Sequence, residues 1–357
     1  MSPTLTALAL AIQARIPVLL WGAPGTGKSS VIRQLGGRLG LPVETVIASI
    51  REPSDFAGLP VVTDGRVRFA PPDWAVRLAD HGSGLLFLDE ISTAPPAVQA
   101  ALLRVVLERT VGDIELPPGV AIVAAANPAA QAAGGWDLSA PLANRFLHLD
   151  WQVNGLAWSD GFLTSWAELD VPELPAGWAD GLPAARETIA GYIRQRPDAL
   201  LNVPADAEAA SRAWPSPRTW EMAARLLTAA RAIEAPAEVV ELLLAGAVGN
   251  AAARDYFTLL RRGAAWDLDT AFKRPDAVRI PETPDALDGF LRAVIARFAA
   301  KADEEAWERS WQILAKAASA AGVDAVVPHA IALHEAGSEA FLVPAEARPL
   351  LEAIYAS

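Results

Sequence analysis

Eight residues near the start of the chain restrict its fold more than its size does. They read Gly22, Ala23, Pro24, Gly25, Thr26, Gly27, Lys28 and Ser29, between the apolar run Val18–Trp21 and a helical pattern that starts at Ser30 and stops at Gly40. The spacing is G-x-x-x-x-G-K-S. Glycines let a short loop turn so that several backbone N–H groups face one anion. The helix behind it adds unpaired N–H groups and the positive end of its dipole. Lys28 neutralises β- and γ-phosphates, and the Ser29 hydroxyl ligates Mg²⁺. The residues expected to hold ATP are therefore Gly22, Pro24, Gly25, Thr26, Gly27, Lys28, Ser29 and Ser30. A chance match in a chain this long is on the order of 1 in 100. Lysine scarcity lowers it further, because Lys28 is the only lysine before Lys273. The bland alternative is a glycine-rich turn between a strand and a helix.

Residues 85–90, Leu-Leu-Phe-Leu-Asp-Glu, place two carboxylates at the end of an apolar strand, where ligands bind in α/β sheets. Asp89 is expected to hold the Mg²⁺ hydration shell, and Glu90 to polarise a water for attack on the γ-phosphate. Alone, the pair reads equally well as a strand end with a helix-capping acid. Asn127 follows the apolar run 120–126. Its neutral amide can orient the same water, and an Asn-Pro turn with Pro128 accounts for it as well.

Around these motifs, residues 1–150 alternate short apolar runs at 18–21, 43–47, 85–88, 120–123 and 146–149 with helical patterns. Gly and Pro bound the runs, which predicts a parallel sheet covered by helices on both faces. Residues 151–357 read as helices. Apolar residues recur at three- and four-residue spacing over 219–233 and over 237–260, and two further helices are predicted around 290–300 and 304–321. The net charge is −12 over 357 residues, and most of the acidity lies after residue 150. That balance argues against a generic nucleic-acid coat. No cysteine is present, so disulfides and thiolate zinc sites are excluded. The four histidines lie far apart in sequence without an acidic ligand pattern, and no metal site of their own is expected. The uncharged stretch 116–136 is long enough to cross a membrane. Pro117, Pro118, Pro128, Gly134 and Gly135 break it, so it reads as turn, strand and loop. No basic leader precedes Arg15, and a cytoplasmic protein is expected. The twelve dispersed tryptophans read as packing residues.

Taken in order, these residues resemble the AAA+ ATPases, and within them the MoxR type. Pro53-Ser-Asp-Phe-Ala-Gly58 is similar to that family's P-S-D-x-x-G. The alternating segment 61–69 around Asp64-Gly65 matches the helix-2 insertion of the clade, and 110–116 around Gly112-Asp113 matches its hairpin before the Asn sensor. The family helix after the acidic pair has its counterpart in 92–103. Leu142-Ala-Asn-Arg145-Phe146 corresponds to the segment whose arginine is the inter-subunit finger. Ser216-Pro-Arg218 corresponds to the second sensor. The resemblance covers about residues 1–260. It implies catalytic roles for Glu90, Asn127, Arg145 and Arg218, with Ser29 and Asp89 on Mg²⁺. An ordinary ion pair of Arg145 at the surface, or of Arg218 with Glu221 or Asp206, is the plain alternative.

The implied architecture is an α/β nucleotide-binding domain over 1–155 with a five-stranded parallel sheet. An all-helical lid over 156–265 and a helical C-terminal extension over 266–357 follow. The implied activity is ATP hydrolysis in a homo-oligomeric, hexameric ring. Its implied use is chaperone-like remodelling of a protein client, often a separate von Willebrand factor A-domain protein. Two hairpins, 61–69 and 110–116, are expected to handle the substrate. The loop 129–136 departs from the family by its Ala and Gly content, and the helical tail extends past the usual end. Two rival readings remain: a DNA-directed motor, with Arg66 and Arg68 as its basic contacts, and a nucleotide-gated assembly component with little turnover.

Overall fold

The computed structural model describes residues 2–128, 136–163, 171–264, 268–282, 284–338 and 341–356. The loop 129–135 singled out in the sequence lies outside the described residues.

Five strands form the central sheet: β1 (Val18–Trp21), β2 (Val43–Ile47), β5 (Ser83–Asp89), β8 (Gly119–Ala126) and β9 (Leu147–Asp150). Their order is β2-β5-β8-β1-β9, and every neighbouring pair is parallel. Each of β1, β5 and β8 is a nearly unbroken run of buried apolar residues, as a strand covered on both faces must be. The chain enters at β1, crosses to the β2 edge, returns through β5 and β8, and then places β9 on the other side of β1. All the loops that follow these strands therefore open at one edge of the sheet, with the phosphate loop at the centre.

The two predicted hairpins are present. β3 (Leu59–Thr63) pairs with β4 (Arg66–Ala70) across Asp64-Gly65, both at positive φ, as a two-residue I′ turn requires. β6 (Thr110–Val111) pairs with β7 (Ile114–Glu115) around Gly112-Asp113. The hairpins touch. Asp113 N–H donates to Phe69 O at 2.9 Å, Phe69 N–H donates to Asp113 Oδ2 at 3.1 Å, and the Cβ that Gly58 lacks would stand 2.6 Å from Gly112 Cα.

The helical half corrects one expectation. The apolar period over 237–260 is carried by two helices, Ala237–Val248 and Asn250–Ala264. Gly249 separates them at φ +84°, where a Cβ would stand 2.7 Å from Ala213 O. The left-handed backbone breaks the helix while the apolar spacing runs on through it. The helix Pro217–Ala232 starts with Ser216 in a capping box with Thr219. The chain divides into two compact units, 1–254 and 255–357. The second has its own core of Phe290, Leu291, Phe298, Trp307, Trp311 and Leu314, built by helices Pro284–Lys301, Glu304–Ala321, Val327–Ala336 and Arg348–Ala356. Trp74 and Trp220 are also buried, whereas Trp136 and Trp158 are exposed. No helix among the described residues is long and apolar enough to cross a membrane.

One polar contact inside the first unit gives it a pH dependence. Trp21 Nε1 donates to His148 Nδ1 at 2.9 Å, and His148 Nε2 sits 2.9 Å from Ala143 O. That pattern needs the neutral ring with its proton on Nε2. Burial pushes the His148 pKa down to about 4. The Ala143 carbonyl opposes the shift, the Arg212 charge adds to it, and Asp150 opposes it again. The unfolded chain takes up a proton near pH 6.5 and the folded chain only near pH 4, so stability is full above 6.5 and falls as pH drops between them. Urea unfolding should show His148 costing roughly 2 kcal/mol of stability between pH 7 and pH 5. His148→Gln, which can make both hydrogen bonds without titrating, should lose that part of the slope. Parallel pH profiles for the two proteins would reject the assignment.

Candidate functional site

The loop 22–27 leaves β1 and closes onto helix Lys28–Arg38. Gly25 and Gly27 take φ of +76° and +84°, which lets the loop wrap rather than extend. The helix has no side-chain cap and no acidic residue in its first turn, so its terminal N–H groups remain available to an anion. Lys28 is only 7% exposed. Its Nζ donates to Gly22 O at 2.6 Å, to Ala23 O at 3.0 Å and to Asn127 Oδ1 at 3.0 Å. Burial lowers its pKa, and the charges of Asp89 and Glu90 work against that. All three ammonium protons are thus engaged, and an incoming phosphate oxygen would displace one of these neutral oxygens.

β5 delivers the acidic pair. Ser29 Oγ donates to Asp89 Oδ2 at 2.8 Å, joining two oxygen donors of the kind Mg²⁺ prefers. Glu90 is exposed at φ +56°, an unfavourable conformation for a non-glycine residue and one that recurs at functional sites. Its backbone N–H donates to Asp89 Oδ1 at 3.0 Å. Its carboxylate accepts from Ser49 Oγ at 2.6 Å. Ser49 follows β2 in a short turn, and nothing local in the sequence marks it. β8 delivers Asn127, whose N–H donates to Ser92 Oγ at 3.2 Å. Ser92 opens the segment 92–103, but the sequence assigns it no role at the site. Lys28, Ser29, Asp89 and Asn127 thus converge at the carboxyl edge of the sheet, with Glu90 beside them.

Arg145 and Arg218 lie near each other. Arg145, half-buried between helix Ala140–Ala143 and β9, donates from Nη1 to Pro141 O. Its Nε is buried without a partner. Burial and the Arg218 charge both lower its pKa. Among the described residues, Arg218 reaches only Asn144 Oδ1, at 3.4 Å. Neither of its anticipated acidic partners is free: Glu221 pairs with Arg186 at 2.5 Å, and Asp206 caps helix Ala207–Ala210. Two guanidinium groups therefore share a neighbourhood with no carboxylate paired to either among the described residues. A cavity of about 370 Å³ opens beside the loop, lined by Trp21, Gly22, Ala23, Thr26, Pro128 and residues 150–153.

Residues 17–146 match the family described as AAA domain (dynein-related subfamily). Protein MoxR of Methylorubrum extorquens is 36% identical over 106 residues, 29% of this chain and 30% of MoxR. The pathogenicity-locus protein WtsA of Pantoea stewartii is 32% identical over 117 residues, 31% of this chain and 36% of WtsA. The chain is thus matched to about a third of the length of these curated relatives. A solved structure from Cytophaga hutchinsonii superposes with a TM-score of 0.41 at 18% identity, covering 69% of this chain and 80% of its own. A full-length MCM homolog from Methanopyrus kandleri gives 0.39 at 21% identity, covering 69% and 55%. Those two superpositions are too loose to carry a functional argument.

Proposed function

We propose, because this chain is an AAA+ protein of the MoxR type, that it binds ATP with Mg²⁺ and hydrolyses the γ-phosphate in a homo-oligomeric ring, using the cycle to remodel a protein partner. The observation that carries the reading is the convergence of Lys28, Ser29, Asp89 and Asn127 at the carboxyl edge of the sheet. When bound, Mg²⁺ neutralises charge on the phosphates, and Ser29 and Asp89 are the residues that would hold it. Lys28 would balance the outer phosphates. Asn127, tied to Lys28, and Glu90, tied to Ser49, would orient and polarise the attacking water between them. Arg145 and Arg218, clustered without paired carboxylates, are suited to an anion that arrives from outside the strand-end cluster.

For the partner, the two docked hairpins are the surface we favour. The β3–β4 hairpin exposes apolar side chains on both faces, with Val62 76% exposed, and its base is hydrogen-bonded to Asp113 of the second hairpin. A client pulling on one would therefore load the other. A von Willebrand factor A-domain protein is the partner class we propose, and a cytoplasmic hexamer the form in which it works.

Fluorescent-ATP titration tests the nucleotide site. Lys28→Ala should lose detectable binding, because the loop N–H groups alone would face an uncompensated triphosphate. Wild-type affinity in that variant would refute the reading.

A further inference from the structure

Trp151 belongs to no motif and follows β9 directly, yet two of its groups bear on the phosphate loop and a third on the strand that leads into it. Its N–H donates to Trp21 O at 2.6 Å, extending the β1–β9 ladder by one step. Its carbonyl oxygen lies 2.7 Å from where a Cβ on Gly22 would stand, so the first residue of the loop is pressed against it. Its indole Nε1 donates to Thr26 O at 3.0 Å across 125 residues of sequence.

The indole contact has a consequence for anion binding. In a trans peptide the carbonyl and the following N–H point in opposite directions. An indole that holds Thr26 O on its own side turns the Gly27 N–H to the opposite side of that peptide, away from Trp151. Gly27 and Gly25 have the positive φ that only glycine adopts easily, so this part of the loop has the most conformations to lose when it wraps a phosphate. One hydrogen bond from a rigid, packed ring removes much of that freedom in advance. Within the loop, Thr26 Oγ1 donates to Ala23 O at 2.8 Å, so Thr26 is held by its side chain as well as by its carbonyl oxygen.

We infer that Trp151 is a positioning residue of the phosphate loop: its indole N–H fixes the Thr26–Gly27 peptide plane so that the Gly27 N–H faces the bound phosphates. This rests on the nucleotide-binding reading above.

Trp151→Phe keeps a flat ring in place and removes the donor. Titrated with fluorescent ATP, it should bind about three- to tenfold more weakly, the loss expected for one neutral hydrogen bond. Binding stoichiometry should stay unchanged and kcat at saturating ATP should stay within about twofold. A variant that merely folded less well would lose binding sites and leave the affinity of the remainder unchanged, and that result would overturn the inference. Trp151→Ala separates ring packing from the donor. If Phe binds like wild type and only Ala is weakened, the indole N–H has no positioning role. Lys28→Ala, run alongside, keeps the two claims apart. If wild type binds, Lys28→Ala does not, and Trp151→Phe titrates as wild type, the positioning role alone fails. If Lys28→Ala binds as wild type does, the nucleotide site fails and this inference with it.

Discussion

Glu90→Gln should leave ATP bound while slowing its hydrolysis by roughly two to four orders of magnitude, the usual contribution of a positioned general base. The substitution preserves length and shape. An amide oxygen can still accept the Ser49 hydroxyl that now reaches Glu90 Oε2 at 2.6 Å, but it cannot take a proton from water. Glu90 stands exposed at the end of β5 at φ +56°, and Asp89 beside it is already engaged by Ser29. No second free carboxylate follows that strand to stand in for it. Single-turnover measurements with radiolabelled ATP separate the steps: nucleotide occupancy should remain high, and rings should accumulate loaded with ATP. Turnover within about threefold of wild type would mean that another group activates the water. Ser49→Ala should have a much smaller effect, because Ser49 only orients the carboxylate.

Several of these residues are legible in the sequence and others are not, for physical reasons. A strand buried on both faces has to be an uninterrupted apolar run, so Val18–Trp21 could be bounded from residue type alone, whereas the edge strand Val43–Ile47 keeps only Val46 buried and admits Glu44 and Thr45. The phosphate loop and the Asp89-Glu90 pair are equally local, because their chemistry is confined to a few adjacent residues. The helix break at Gly249 is hidden, since the apolar period passes through it and glycine alone does not distinguish a tolerated helical position from a left-handed one. The site roles of Ser49, Ser92 and Trp151 were missed for another reason. Each acts by one hydrogen bond to a residue distant in the chain: Ser49 to Glu90, Ser92 to Asn127, Trp151 to Thr26. A serine after a strand or a tryptophan at a sheet edge has many uses, and only the fold selects among them.

Arg145→Ala should bind ATP normally and hydrolyse it very slowly, because its guanidinium is proposed to serve a neighbouring subunit. Arg145 precedes β9, an edge strand of the sheet. Its Nε is buried without a partner among the described residues, and the charge that bears on it is that of another cation, Arg218. A guanidinium held that way gains most from an anion supplied by another subunit. Stabilising charge that builds on a γ-phosphate in this manner is worth roughly 10³–10⁵ in rate in other phosphoryl-transfer enzymes. Specific activity of the wild-type protein should then rise with concentration, since only assembled interfaces are complete. Mixing two inactive variants provides the sharper test. A Lys28→Ala subunit cannot bind ATP but retains Arg145. Beside an Arg145→Ala subunit, which binds ATP but lacks the finger, it completes one functional interface. Rings shown by native mass spectrometry to contain both should therefore recover measurable turnover. Mixed rings no more active than either parent would count against action in trans. Undiminished, concentration-independent turnover by a protein shown to be monomeric would exclude it, and Arg145 would then have to act on the nucleotide of its own chain.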